Sequence, residues 1–174
     1  MRNKKGFSLI ELLIVVAIIL IIAAIAIPNL MKSRQAANQA AAAANIRTIV
    51  GAEHTFSTTY FGATGFFADD LAKLGPPAGG CAGTGTSANS CLLDGDLGCL
   101  AQPCNRDNYL HSITGIGAWP NVTDYIAFTT PAGINFGQED FCATSDGVIH
   151  FNQAPTPPSP VVTTVTACNA YAPI

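Results

Sequence analysis

The sequence predicts an α+β protein in which one long N-terminal helix precedes a small antiparallel sheet. Three observations carry the prediction. An apolar run, Phe7–Ile27, passes directly into an alanine-rich amphipathic stretch that ends near Tyr60. Residues 62–120 are dense in glycine and proline and hold four of the six cysteines. From residue 121 onward, β-rich runs alternate with turn signals. The chain thus divides into a short basic head (1–6), a first helical part (7–28), an amphipathic helical part (29–61) and a globular part (62–174). The globular part subdivides into a cysteine-rich loop (62–120) and a sheet (121–174).

The first helical part is apolar all round. Phe7–Ile27 spans 21 residues, with Glu11 the one charge among them. That length covers a hydrocarbon core of ~30 Å as a helix. Arg2, Lys4 and Lys5 precede it without an acid, so the positive-inside bias places the N-terminus in the cytoplasm and the rest outside. A secretory signal peptide fits less well. The apolar run is too long, and Pro28-Asn29 follows it with no good small-residue cleavage site. Glu11 is costly there, because a carboxylate at the centre of a span costs roughly 2.5–3.5 kcal/mol on insertion scales. Such a residue is a functional candidate for that reason.

The second helical part lacks proline from Asn29 to Tyr60 and is rich in alanine, a strong helix former. Ile49, Ala52, Phe56 and Tyr60 recur at helical spacing as an apolar stripe. Lys32, Arg34, Gln35 and Asn38 suit a wetter surface. A single helix over residues 7–60 would be about 80 Å long. Pro28 interrupts it chemically. It removes one backbone hydrogen bond and crowds the carbonyl of Ala24, so it either ends the span or kinks the helix near Ala24–Pro28.

The remaining 146 residues beyond Pro28 suffice for one modest domain. Gly75–Gly80 and Gly83–Ser90 are turn-rich and aperiodic. Tyr125–Thr130, Asp140–Thr144 and Val148–Phe151 read as strands, the last two joined by a Ser145-Asp146-Gly147 turn. After the irregular segment Ala154–Pro160, Val161–Thr166 reads as a final edge strand. Three or four antiparallel strands are expected, packed on the amphipathic part of the helix.

All six cysteines, Cys81, Cys91, Cys99, Cys104, Cys142 and Cys168, lie beyond the apolar run. An even number on the exported side reads as disulfides, with fifteen possible pairings. No C-x-x-C occurs, and neighbour spacings of nine, seven and four residues among the first four do not suit zinc. No resident metal or cofactor is expected. Asp94-Gly95-Asp96-Leu97-Gly98 lacks the further acids of a calcium loop and reads as a turn. His54, His111 and His150 have no metal spacing, and no catalytic motif is present, so the chain is not read as an enzyme. Asn121-Val122-Thr123 forms a glycosylation sequon of the kind that also arises by chance. The aromatic group Phe56, Tyr60, Phe61, Phe66 and Phe67 reads as packing between helix and sheet. A net charge of −3 offers no general attraction for nucleic acid.

The stretch Gly6-Phe7-Ser8-Leu9-Ile10-Glu11-Leu12-Leu13-Ile14-Val15-Val16-Ala17-Ile18-Ile19, followed by Ala23–Pro28, closely resembles the N-terminal segment of type IV pilins and type II secretion pseudopilins. The resemblance covers about the first 35 residues. It implies a pilin-like fold and cleavage between Gly6 and Phe7 by a membrane prepilin peptidase. It also implies N-methylation of Phe7 and an assembly role for Glu11, pairing with the Phe7 amine of a neighbouring subunit. Removing residues 1–6 takes the side-chain charge from −3 to −6. The implied product is a homo-oligomeric helical filament, held in membrane lipid before assembly and then extruded from a bacterial surface. Cytoplasmic ATPases and an assembly platform would act on it indirectly. A C-terminal disulfide loop, common in pilins, implies Cys142–Cys168. Cys81–Cys91 and Cys99–Cys104 then follow as local pairs. Major pseudopilins often bind calcium near the C-terminus, and no matching acidic cluster stands there. A pilus subunit is therefore the first expectation. A secretion pseudopilin, or a minor pilin acting as a binding or capping module, is the alternative.

Overall fold

The computed structural model describes residues 7–81, 83, 85–153 and 156–174. The chain divides into two compact units, Met1–Arg34 and Gln35–Ile174. Helix α1 runs from Leu9 to Phe56 and contributes to both. It begins at Ser8, where the backbone N–H of Ser8 donates to Glu11 Oε2 at 2.9 Å. This is one arm of a capping box, in which a glutamate three residues into the helix satisfies a donor at the cap. The helix continues unbroken through Pro28, so the proline does not end it. The ring still removes one backbone hydrogen bond there.

In the first unit, every residue from Phe7 to Arg34 is exposed except half-buried Ala23. In the second, one face of α1 is buried through Ala42, Ala43, Ile46, Ile49, Val50, Ala52 and Phe56. A short π-turn, Ser57–Phe61, and a 3-10 turn, Gly62–Thr64, end the helical run near the expected boundary.

Beyond it lie α2 (Leu71–Leu74), β1 (Cys104–Arg106), β2 (Tyr109–Ile116), β3 (Asp124–Pro131), β4 (Glu139–Thr144), β5 (Ile149–Gln153), α3 (Val165–Asn169) and β6 (Ala172–Pro173). The six strands form one antiparallel meander in sequence order. Strand alternation sorts the core into two layers. Tyr125 and Ala127 of β3 join Ile49, Ala52 and Phe56 of the helix, while Phe141 and Ala143 of β4 join Ala42, Ile46 and Val50. Ile126, Phe128 and Cys142 face the other way, under Val162 and Cys168 of the C-terminal segment. Both faces of the central strands are thus covered.

Three expectations are corrected, the first being the strand count, which is six rather than three or four. Residues 62–120 are not loop throughout, because β1 and β2 lie within them. Their hairpin turns on Asp107 and Asn108, both at positive φ (54° and 64°). That is a two-residue turn of the kind that matches strand twist, made without glycine. Val161–Thr166 is not an edge strand. Thr164 caps α3 by accepting from the Ala167 N–H, and the edge strand is Ala172–Pro173. The helix turns Cys168 onto β4, where it bonds Cys142.

Three disulfides close: Cys81–Cys91, Cys99–Cys104 and Cys142–Cys168. The cysteine-rich region is also held by backbone contact. Gly75 and Gly98 approach so closely that a Cβ on Gly75 would lie 1.9 Å from the Gly98 carbonyl oxygen. Only glycine fits there. Asp94 Oδ1 accepts from the N–H groups of Asp96 and Leu97, and Oδ2 accepts from Arg106. The acidic turn is therefore spent on structure.

Glu53 is fully buried beneath the sheet. Its Oε2 accepts from the Ala68 N–H at 2.9 Å, while Oε1 has no partner among the described residues. Burial pushes its pKa up to about 8; the Ala68 N–H works against this and Asp69 adds to it. Burial pushes His111 of β2 the other way, down to about 4.

The signs of these shifts set the pH response. A glutamate raised when folded stabilises below its unfolded pKa, and that stability drains away as pH rises through about 4.5 to about 8. A neutral buried histidine loses stability as pH falls through about 6.5 to about 4. Glu53→Gln keeps the neutral form at every pH. Thermal melts of the full chain in detergent should show the variant gaining on the native protein by a few kcal/mol between pH 5 and pH 9. Equal pH dependence in the two would show that Glu53 ionises freely. Separately, replacing both Cys142 and Cys168 by serine opens a loop with a sequence separation of 26. By chain entropy this costs about 3.5 kcal/mol, read from urea unfolding.

Candidate assembly site

The candidate site is the N-terminal end of α1. Phe7 is exposed, and Glu11 lies one helical turn further on, exposed as well. Gly6, the expected cleavage residue, lies outside the described residues. The Ser8 N–H ties the Glu11 carboxylate back toward the start of the helix. One oxygen is engaged there, and the carboxylate stands one peptide away from Phe7. An anion in the first turn also meets the positive end of the helix dipole.

Around this carboxylate everything is apolar. Leu9, Leu12, Leu13, Val16 and Leu20 form an exposed stripe along one side of the helix. The other sides carry Ile10, Ile14, Val15, Ile18 and Ile19, all exposed. Their combined surface cannot stay in water, because contiguous exposed apolar patches of this kind mark membrane or protein contact. The helix is long and apolar enough to cross a membrane. Pro28 lies inside it, about four turns before the first buried residues of the helix, Ala42 and Ala43.

Ser8 is a contributor that the residue-by-residue reading overlooked. Ser8-Leu9-Ile10-Glu11 matches the S-x-x-E capping pattern directly before an apolar run, and that pattern was the available signal. Glu53 was overlooked too, although it continues the helical spacing of Ile46, Ile49 and Val50 into the core. The cysteines are remote from this site in sequence and belong to the second unit.

Comparison with known proteins agrees with the local chemistry. Residues 1–27 match the family model of the prokaryotic N-terminal methylation motif. The chain is 56% identical over 50 residues to the type IV wide pilus major component PilA4 of Thermus thermophilus, covering 29% of this chain and 38% of that protein. It is 48% identical over 54 residues to the type IV major pilin protein PilA of Myxococcus xanthus, covering 31% of this chain and 24% of that protein. The match thus spans well under half the length of these relatives. No solved structure matches the chain significantly. The similarity is confined to the N-terminal segment, which carries the prokaryotic methylation motif and resembles the corresponding segment of these two type IV pilins.

Proposed function

We propose that this protein is the structural subunit of a type IV pilus-like filament, made as a membrane prepilin and polymerised through α1. The observation that carries the reading is Glu11, a lone carboxylate in a 21-residue apolar run, held toward the Phe7 end of an exposed helix. Cleavage after Gly6 removes Arg2, Lys4 and Lys5, the charges that hold the chain to the cytoplasmic face. It also creates an amine on Phe7 where none existed. Monomethylation leaves that amine positively charged. The new cation pairs with Glu11 of an adjacent subunit, and attraction in a low-dielectric setting offsets the loss of hydration. The pair sets the axial register as subunits leave the bilayer.

The apolar helix then serves twice. Leucine, isoleucine and valine side chains face lipid in the reservoir and other helices in the filament, and an all-round apolar helix suits both. Pro28 supplies a weak point at which α1 loosens to fit the filament's rise. The subunit performs no catalysis. Cytoplasmic ATPases drive assembly through a membrane platform, and the prepilin peptidase processes the N-terminus. The relatives' names, a wide pilus major component and a type IV major pilin, favour a pilus subunit over a secretion pseudopilin.

Glu11→Ala should insert and lose its leader normally yet fail to build filaments. An ion left unpaired costs about 3 kcal/mol or more, roughly two orders of magnitude in subunit affinity. Shear preparations followed by electron microscopy check this, and abundant normal filaments would remove the pairing argument. Gly6→Val should leave residues 1–6 attached, which intact mass of the membrane fraction reads directly.

A further inference from the structure

The chain contains one Asn-x-Ser/Thr triplet, Asn121-Val122-Thr123, and the assembly function leaves it unused. Such a triplet can accept an N-linked sugar where it stands on a surface loop of an exported protein. A triplet that arose by chance has no reason to meet both conditions, and this one meets both.

The β2–β3 connection supplies the surface loop. Residues 117–121 and Thr123 are exposed, while Val122 between the two sequon residues is fully buried. The backbone of this turn is tied down on both sides. The Asn121 N–H donates to the Ala118 carbonyl at 2.8 Å, and the Thr123 N–H donates to the Ile116 carbonyl at 3.0 Å. The Val122 carbonyl accepts from the Phe67 N–H at 3.0 Å. Gly117 stands at φ 117°, and a Cβ there would lie 2.7 Å from the Asn121 carbonyl oxygen, so glycine lets the chain reverse this tightly. The Trp119 ring packs edge-on to Phe61, with centroids 5.8 Å apart, and anchors the other shoulder. Asn121 is thus presented to solvent between two anchored neighbours, Trp119 and Val122. The Thr123 hydroxyl, the second group that defines the acceptor triplet, makes a long 3.3 Å bond to the Ile116 carbonyl and is readily exchanged onto another partner.

The export condition is met within the same unit. All six cysteines are paired, as Cys81–Cys91, Cys99–Cys104 and Cys142–Cys168. Disulfides at this density belong to an oxidising compartment.

We propose that Asn121 carries an N-linked glycan, transferred after export from a polyprenyl pyrophosphate-linked oligosaccharide. The proposal rests on the reading that the globular unit is exported. In the transfer, Asn121 Nδ2 forms a bond to the anomeric carbon of the first sugar. The bond from that carbon to the pyrophosphate oxygen breaks, and the lipid pyrophosphate leaves with the electron pair. One amide proton passes to a base of the transferring enzyme, and nothing is oxidised or reduced. Residues 112–123 carry no charge, and Ala118, Trp119 and Pro120 form an exposed apolar step beside the acceptor. A hydrophilic sugar at Asn121 screens that step from unwanted contact.

The subunit is purified from the cells that make it, free thiols are blocked, and its fragments are mapped by mass spectrometry without reduction. The fragment holding Asn121 should exceed its sequence mass by whole sugar residues, with the increment on Asn121 itself. Asn121→Gln and Thr123→Val should each lose the entire increment. Thr123→Ser, which keeps the hydroxyl, should retain it on part of the subunits and so separates loss of the acceptor from loss of the fold. A bare Asn121 in a subunit whose three disulfides are closed would overturn the proposal and leave export standing. A bare Asn121 together with blocked thiols would overturn both readings. An increment that survives Asn121→Gln would overturn the proposal by placing the sugar elsewhere.

Discussion

A single carboxylate in an apolar helix sets the problem that the rest of this molecule answers. Glu11 stands exposed among apolar side chains, and the chain itself provides it with one backbone N–H, that of Ser8. One hydrogen bond orients the group but does not neutralise it. The arrangement is tolerable beside the headgroups and costly at depth, so the carboxylate makes a cation valuable. Cleavage after Gly6 would create that cation one residue from the group that orients Glu11. Order of events then becomes part of the chemistry. On the proposed reading, an uncut chain would have the carboxylate without its partner and would keep the basic residues Arg2, Lys4 and Lys5.

The same helix carries a second glutamate with an opposite solution. Glu53 is buried in the globular unit, and burial holds its carboxyl protonated near neutral pH. There a neutral acid accepts the Ala68 N–H and ties the segment after α1 back onto the helix. No other acid occurs between the two along α1. One glutamate stands exposed at the start of the helix; the other is buried where the second part of α1 packs on the globular unit.

What was legible in the sequence was what is local. The apolar run, the Glu11 anomaly and the stripe of Ile49, Ala52 and Phe56 are written in consecutive helical turns. The β4–β5 hairpin announced itself through Ser145-Asp146-Gly147. Strand β2 did not, because Tyr109, His111 and Ile113 face the helix across a polar alternation and gain their meaning from pairing with β3. Its turn uses Asp107-Asn108 at positive φ, a weaker signal than one containing glycine. The β-branched run after Pro160 misled for a similar reason. Its fate is set by the Thr164 cap and by Cys168 reaching Cys142, neither visible from β propensity. The Cys142–Cys168 pairing itself came from family resemblance, since spacing left fifteen options open.

The central claim is that Glu11 and the Phe7 amine are the two halves of an intersubunit pair made by processing. A reconstruction of the native filament, at a resolution that shows side chains, tests it most directly. The account predicts a subunit that begins at Phe7, with its amine within ion-pair distance of Glu11 on an adjacent subunit. A subunit that retains residues 1–6, or a Glu11 carboxylate facing solvent or lipid without a cationic partner, would contradict it.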